Sequence, residues 1–213
     1  MNETIMQAIQ QIAIYAVPLF LGIICHEVAH GYVSYLLGDP TAKDAGRLTL
    51  NPLKHLDLVG TLVFLVTRMI GWAKPVPINP GYYKNVRKGI VLVSLAGPIT
   101  NFVLAALFYL LYRAFASVIF TANPELAKYL FYPLINIAAA GTIINVVLGT
   151  FNLIPIPPLD GSKILAVALP PKMAANYMKL ERYGLLILIV LVMTGFFERF
   201  FHVVIGSVYS WLF

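Results

Sequence analysis

Two histidines and a glutamate stand within five consecutive positions of an otherwise apolar segment, His26-Glu27-Val28-Ala29-His30. Residues four apart share one face of a helix, so both imidazoles can reach a single metal ion. Neutral imidazole nitrogen is a common zinc ligand. Glu27 lies beside that face and could take a proton from a water molecule that the metal activates. The spacing is therefore typical of a zinc hydrolase.

The alternative is that these three residues are ordinary members of a helix. In a membrane helix that alternative is costly, because a charged residue near the bilayer centre costs roughly 2.5–3.5 kcal/mol on insertion scales. Three ionisable residues within 26–30 need a compensating interaction. A bound metal supplies one.

A catalytic zinc site usually has three protein ligands, and Asp160 is the candidate for the third. It is the only acidic residue between Glu125 and Glu181, and it ends the proline-rich stretch Asn152-Leu-Ile-Pro-Ile-Pro-Pro-Leu-Asp160. Asp160 could instead cap a helix that starts near Gly161. Prolines at membrane depth favour irregular backbone around a cavity, and the pairing with 26–30 favours the ligand.

The composition places these residues in a membrane. The 213-residue chain is 60% hydrophobic and only 11% charged, with a mean hydropathy of +0.82, whereas soluble domains carry about 25% charged residues. The net charge of +6 does not indicate a nucleic-acid partner, because the basic residues lie in loops between apolar segments. The positive-inside rule accounts for that placement.

Apolar runs predict about four transmembrane helices, near residues 8–37, 90–112, 129–151 and 183–197. The first three reach the roughly 20 residues that a span requires, and the fourth is somewhat short. Glu198 and Arg199 separate it from an apolar stretch at 200–213, so that end is either one tilted span with an interfacial tail or a bent segment. Residues 58–67 are too short to cross and are predicted to be re-entrant. With the amino terminus outside, all Lys and Arg except Arg113, Lys128 and Arg199 then face the cytosol. The sequence thus predicts an α-helical polytopic membrane protein with its site toward the cytosolic leaflet of the cell membrane.

The chain is expected to form a single domain over 1–213, with a catalytic core at about 8–170 and a C-terminal helical segment at about 171–213. The first eleven residues contain no Lys or Arg, so the first helix is expected to remain rather than to be removed as a signal. Cys25 is the only cysteine, which excludes an intrachain disulfide, and it is predicted to be a buried thiol.

Three motifs in this order resemble the site-2 protease family of intramembrane zinc metalloproteases, in its small prokaryotic form without PDZ or CBS domains. They are HEVAH at 26–30, GPITN at 97–101 and NLIPIPPLDG at 152–161. GRLTLNPLKHLD at 46–57 and GWAKPVPINP at 71–80 flank them. Together they extend over residues from about 20 to 170.

The resemblance implies that one Zn²⁺ is held by His26, His30 and Asp160, and that Glu27 is the catalytic glutamate. It implies that Asn152 holds the substrate carbonyl or the oxyanion. The implied reaction is hydrolysis of peptide bonds within or near the transmembrane segments of membrane proteins in the lipid bilayer. The oligomeric state is left open.

A helical substrate hides its carbonyls in hydrogen bonds and must unwind before cleavage. Residues 47–50 and 74–78 are predicted to be short extended or β segments at the cytosolic face, and the edge around Val76 and Ile78 could hold an unwound substrate. The alternative is that both are ordered interfacial loops. Asn101 is a further candidate near the site, although packing would explain it equally well. His55 and His202 are expected at the interface.

Two other classes of function remain open on the sequence. A metal-binding transporter or channel could also carry intramembrane His, Glu and Asp, but it would be expected to show inverted repeats, and none is visible. A catalytically inactive membrane protein could keep the metal ligands, but metal binding alone does not require Glu27. An intramembrane metalloprotease accounts for all four residues.

Overall fold

The computed structural model describes residues 2–55, 57, 60, 74–121 and 123–212, and most of them are helical. The helices of that part of the chain are α1 (Asn2–Leu36), α2 (Thr41–Asp44), α3 (Val86–Val118), α4 (Tyr132–Asn152), α5 (Asp160–Ala168), α6 (Pro171–Met178), α7 (Gly184–Met193) and α8 (Phe196–Leu212). Single turns occur at Pro52–Lys54, Pro80–Tyr82, Pro124–Leu126 and Lys179–Tyr183, and a π-helical turn, Ala127–Phe131, leads into α4.

Three of the short turns begin at the same dipeptide, Asn-Pro. The side-chain oxygens of Asn51, Asn79 and Asn123 accept hydrogen bonds from the main-chain N–H two residues later, at 3.0, 3.0 and 2.8 Å. Proline in the first turn lacks the N–H that would otherwise be unsatisfied, and its fixed φ suits a helix start. Local chemistry therefore sets where these loops turn.

Three helical stretches are long and apolar enough to cross a membrane: Gln11–Leu36, Val86–Val118 and Pro124–Asn152. They confirm the first three predicted spans. The fourth region differs from a straight span, because Pro171–Met193 and Phe196–Ser210 meet at an angle of 73°. Gly195, between them, has a φ of +70°. The described residues therefore contain three candidate spans, or four if this bent pair forms one.

The exposed face of α3 is apolar, as a lipid-facing helix requires. Its exposed large side chains are Leu92, Ile99, Phe102, Val103, Leu107, Leu110, Leu111, Val86 and Val118. Polar side chains instead occur in the interior, where His26, His30, Asn101, Asn145 and Asp160 are all buried. This distribution supports a multi-pass membrane protein.

The structure does not support the predicted extended or β segments, because the described residues contain no strand. Residues 74–79 have no regular secondary structure. Pro75 and Pro77 cannot donate main-chain hydrogen bonds, and the N–H groups of Lys74 and Val76 are donated to other parts of the protein. The predicted re-entrant segment at 58–67 lies outside the described residues, apart from Gly60.

Tertiary contacts divide the chain into two compact units. The first comprises Met1–Gly22, Asn101–Thr150 and Ile189–Phe213, and the second comprises Ile23–Thr100 and Phe151–Leu188. The second unit contains the HEVAH motif and Asp160. The expectation of a single domain with a core at about 8–170 stays a prediction.

Candidate metal centre

His26 and His30, one turn apart on α1, meet Asp160 at the first position of α5. The Nε2 atom of His26 lies 3.1 Å from Asp160 Oδ2, and the Nε2 atom of His30 lies 3.0 Å from the same oxygen. The two Nε2 atoms are themselves 3.0 Å apart. Less than a tenth of each residue is exposed. Three atoms that carry lone pairs therefore converge on one point.

This convergence fits a tetrahedral metal ion. Zinc bonds of about 2.0–2.2 Å place neighbouring ligand atoms roughly 3.3–3.6 Å apart, slightly more than the distances between these three atoms. Two imidazole nitrogens and one carboxylate oxygen are a donor set that zinc accepts. Among the residues that the structure describes, this is the one group of His, Cys, Asp and Glu whose ligand atoms suit a metal.

α3 closes the site from another side through Gly97 and Val93. A Cβ atom on Gly97 would lie 2.5 Å from His26 Nε2 and 2.6 Å from His30 Nε2, so no larger residue fits there unless the imidazoles move. The Val93 carbonyl lies 2.6 Å from His30 Nδ1 and can accept its hydrogen. In the neutral ring that bond keeps the hydrogen on Nδ1, which leaves the lone pair of Nε2 free for a metal.

The other oxygen of Asp160 is engaged by Lys163, one turn later on α5. Lys163 Nζ lies 3.1 Å from Asp160 Oδ1. Burial acts to raise the pKa of the Asp160 carboxyl, but the contacts with His26, His30 and Lys163 outweigh it and lower that pKa well below its usual range. Asp160 is thus held as a carboxylate, with Oδ2 directed toward the two histidines.

Glu27 does not join the cluster of ligands. Its Oε2 atom accepts a hydrogen bond of 3.0 Å from the main-chain N–H of Val76. The side chain of Val76 packs on α1 at Gly31, where an added Cβ would lie 2.8 Å from Val76 Cγ1. Segment 74–79 therefore orients the carboxylate of Glu27, the residue that follows the first predicted metal ligand.

Segment 74–79 is fixed at both ends. At Lys74, the N–H donates to the His55 carbonyl at 2.9 Å and the carbonyl accepts from Arg47 Nη2 at 2.6 Å. At Asn79, the N–H donates to Asp39 Oδ2 at 2.7 Å. His55, which is expected at the interface rather than at the metal, is not part of the metal cluster; its side chain is fully buried and its Nε2 donates to the Thr49 carbonyl at 2.8 Å.

A cleft of about 290 Å³ opens beside the cluster. One wall is formed by segment 74–83 and the other by α3 and α5, and the lining residues are His30, Val76, Ile78, Pro80, Tyr83, Ile90, Val93, Ser94, Asp160 and Lys163. Two predicted ligands and both predicted substrate contacts, Val76 and Ile78, thus line the same cleft. Most of its other side chains are apolar.

The remaining predicted residues are not among those that line this cleft. Asn152 is the last residue of α4 and is half-buried. Asn101 is fully buried, and its side-chain nitrogen donates to the Gly22 carbonyl at 3.2 Å and to Asn145 Oδ1 at 3.0 Å. His202 is exposed, as expected for an interfacial residue, whereas the Cys25 side chain is only half-buried.

Sequence reasoning missed three features of the centre and its surroundings. The contact of Lys163 with Asp160 could have been predicted from the sequence, since oppositely charged side chains three residues apart on a helix lie close together. Asp39 had only a weak signal, its place in Gly38-Asp39-Pro40-Thr41 before a short helix. The hydrogen bond from the Val76 N–H to Glu27 had no sequence signal, because residue type does not reveal where a main-chain N–H points.

Comparison with known proteins agrees with this geometry. The family model described as peptidase family M50 matches residues 14–195. A Bacillus subtilis (strain 168) protein named "Putative zinc metalloprotease YwhC" is 41% identical over 179 residues, 84% of this chain and 79% of its own. "Putative zinc metalloprotease Rip2" is similar in Mycolicibacterium smegmatis, at 32% identity over 83% of this chain and 65% of its own. The protein of the same name in Mycobacterium tuberculosis (strain H37Rv) is 28% identical over 88% of this chain and 68% of its own length. No solved structure matches the chain significantly.

Proposed function

The chain belongs to peptidase family M50, the site-2 protease family, and from that membership we propose that it is a zinc-dependent intramembrane protease. In this proposal His26, His30 and Asp160 hold one zinc ion per chain. Glu27 is the general base and Asn152 helps to bind the substrate carbonyl. Substrates are transmembrane proteins or peptides cleaved within or near their membrane-spanning segments.

One observation carries the proposal. Two imidazole nitrogens and a carboxylate oxygen lie 3.0–3.1 Å from one another in a buried place, and a Cβ on Gly97 would fill the space beside them. Buried groups of this kind are stabilised when they pair with an ion or coordinate a metal. Glu27, next in sequence to the first of them, is held away from the three donor atoms by Val76, so it remains available for proton transfer.

When bound, zinc would supply Lewis-acid polarisation of a carbonyl and a lowered pKa for water. The remaining chemistry falls to the protein. Glu27 accepts a proton from the attacking water as the oxygen of that water adds to the scissile carbonyl carbon. It then returns that proton to the amide nitrogen as the C–N bond breaks, which leaves a carboxylic acid and an amine. A further proton passes from the acid to the amine, so the products are a carboxylate and an ammonium group. The N–H of Val76 keeps Glu27 in one orientation through both transfers.

The cleft beside the cluster suits an extended, apolar segment of substrate. Val76 and Ile78 are proposed to contact it along one wall, and the described residues provide no hydrogen-bond acceptor for the N–H of Ile78. That N–H is therefore proposed to bind the backbone of an unwound substrate. Val76 cannot serve in the same way, since its N–H is already donated to Glu27.

The site is proposed to face the cytosolic leaflet of the cell membrane, because most basic residues lie in the loops on that side. Single cysteines at Asp44 and Lys84, introduced in a Cys25→Ser protein, should be labelled from the cytosol by a membrane-impermeant maleimide. A cysteine at Thr121 should be labelled from outside. All three positions are exposed. Labelling of 44 and 84 from opposite sides would refute this orientation.

The function itself is tested with the purified full chain in detergent. We expect about one zinc per chain by elemental analysis, and cleavage of a single-span model peptide. Glu27→Gln should keep the zinc and lose cleavage by about 10²–10⁴-fold, the usual range for a general base. Transport of metal ions into vesicles that contain the protein, with the model peptide left uncleaved, would instead support the transporter alternative.

A further inference from the structure

Asp39, just beyond the C-terminal end of α1, is a fully buried carboxylate that the proposed reaction does not use. Its Oδ2 accepts from the Ser34 hydroxyl at 2.7 Å and from the Asn79 N–H at 2.7 Å. Its Oδ1 accepts from the Thr41 N–H at 3.0 Å and from the Thr41 hydroxyl. Both oxygens are therefore satisfied by neutral donors.

No cation among the described residues forms an ion pair with Asp39. Burial acts to raise its pKa, but hydrogen bonds from Asn79, Thr41 and Ser34 outweigh burial and lower it. A buried charge held only by neutral donors is costly unless every donor is correctly placed. Such a carboxylate fixes the positions of the groups that bind it.

The donor with the greatest consequence is Asn79, because it belongs to the segment that orients Glu27. Val76, three residues earlier, donates its N–H to Glu27 Oε2 at 3.0 Å. Lys74 is held independently by His55 and Arg47. Pro75 and Pro77 limit the backbone between these anchors. Fixing Lys74 and Asn79 therefore fixes where the N–H of Val76 points.

The loop is also joined to α1 through a second branch of the same network. The hydroxyl of Ser34 lies 2.7 Å from the hydroxyl of Tyr83, in addition to its bond with Asp39. Burial raises the pKa of Tyr83, so its hydroxyl stays protonated and able to take part in that bond. Asp39 and Ser34 thus connect the end of α1 to both Asn79 and Tyr83.

We propose that Asp39 is a positioning residue that acts on Glu27 through Asn79 and Val76, so that the general base is held from outside the metal site. The inference rests on the proposed protease function. An asparagine at position 39 is nearly isosteric, yet it would present an NH₂ group to donors that require an acceptor. With the NH₂ group on the Oδ2 side, the segment would lose its anchor at Asn79 and the bond from Val76 to Glu27 would weaken. With the NH₂ group on the Oδ1 side, the Thr41 N–H would lose its acceptor and the link between α1 and the segment would be strained at that end.

The test compares Asp39→Asn with Asp44→Asn, which makes the same change at an exposed aspartate on α2. Cleavage of a single-span model peptide by the purified full chain is measured together with zinc content. We expect Asp39→Asn to lower kcat about tenfold, since hydrogen bonds to charged groups are worth about one to two powers of ten. KM and zinc content should stay within about twofold of wild type, and Asp44→Asn should behave as wild type. An unchanged kcat, or a loss of zinc that accounts for the fall, would overturn the proposal.

A double-mutant cycle separates positioning from a general loss of structure. Val76→Pro removes the N–H that binds Glu27, whereas Val76→Ala keeps it and serves as the control. If Asp39 acts through this N–H, Asp39→Asn should have little further effect in the Val76→Pro protein and its full effect in the Val76→Ala protein. If Asp39→Asn lowered kcat by the same factor in both backgrounds, the two positions would act independently, which would contradict the proposal.

If the Asp39→Asn protein does not fold, Ser34→Ala provides a second test of the same proposal. It removes one donor to the same carboxylate, and we expect a two- to threefold fall in kcat that also disappears in the Val76→Pro background. Persistence of the fall there would count against the proposal. A wild-type protein that cleaves, a Glu27→Gln protein that does not, and no effect at positions 34 or 39 would refute this inference while leaving the protease function intact. Failure of the wild type to cleave would refute both.

Discussion

Two buried polar clusters, one in each compact unit, show how a site differs from a packing contact. The first is the group formed by His26, His30 and Asp160. The second is the amide pair Asn101 and Asn145. Both consist of side chains that an apolar, membrane-spanning protein buries at a cost. They differ in what the buried atoms offer to one another.

In the amide pair, every donor that the structure describes meets an acceptor. The Asn101 nitrogen donates to Asn145 Oδ1 and to the Gly22 carbonyl, and the Asn145 nitrogen donates to the Gly141 carbonyl at 2.9 Å. Hydrogen bonds of this kind hold helices together without any ligand. In the metal cluster, by contrast, three potential acceptors face one another. Such a set of atoms can hold a cation, which is the role proposed for it.

The largest contrast should come from removing one member of each cluster. Asp160→Ala should lower zinc occupancy to background and abolish cleavage, because only two protein ligands would remain. Asn145→Ala should keep about one zinc per chain. Elemental analysis of both purified variants measures the difference. Full zinc in Asp160→Ala would mean that another residue supplies the third ligand.

Gly97 offers a second, somewhat smaller contrast. In Gly97→Ala the new methyl group would lie within 2.6 Å of both ligating nitrogens, so the imidazoles must move and zinc affinity should fall by about 10–100-fold. Gly206→Ala is the matched control, since nothing lies within 4 Å of its added Cβ. Competition with a zinc chelator gives the affinities. Equal affinities in the two variants would show that α3 does not confine the metal site.

Breaking the amide pair should affect stability rather than the metal. Asn101→Leu leaves Asn145 Oδ1 without the donor that it now has, and an unsatisfied buried group costs about 1–3 kcal/mol. The melting temperature in detergent should therefore fall while zinc content stays at one per chain. If zinc were lost with no change in melting temperature, Asn101 would belong to the metal site after all.

The smallest predicted effect concerns Asp39 and acid. The folded-state pKa of Asp39 is lowered, so its carboxylate stabilises the fold at pH values above the usual aspartate pKa of about 3.9, and that stabilisation is lost as the pH falls toward the lowered value. Asp39→Asn should be less stable than wild type at pH 7, and the difference should shrink below about pH 4. Thermal melts from pH 3 to pH 7 measure it. A difference that does not depend on pH would mean that the charge of Asp39 contributes nothing.

The sequence predicted which three side chains meet in this cluster, for a physical reason. The period of the α-helix alone places His26 and His30 on one face, and Asp160 is an isolated carboxylate in a proline-rich stretch. Apolar runs likewise predicted the first three spans, because length and hydropathy are local properties. Where chemistry or hydrophobicity is encoded in residue type and spacing, the sequence was sufficient.

It failed where the outcome depends on main-chain geometry. Segment 74–78 was predicted to be a β edge for substrate, but the N–H of Val76 is donated to Glu27, and the described residues contain no strand. The burial of His55, whose side chain donates to the Thr49 carbonyl, had no sequence signal either. The arrangement of the carboxyl end was left open, and the bend after Met193 lies where Gly195 has a positive φ. Each depends on contacts that no single-residue pattern specifies.

The central claim, that these three side chains hold zinc, is tested most directly by X-ray absorption at the zinc edge of the purified protein. The account predicts two imidazole nitrogens and at least one carboxylate oxygen at about 2.0–2.2 Å, with the signal lost in Asp160→Ala. A spectrum without two imidazoles would contradict the claim. So would one unchanged by removal of the Asp160 carboxylate.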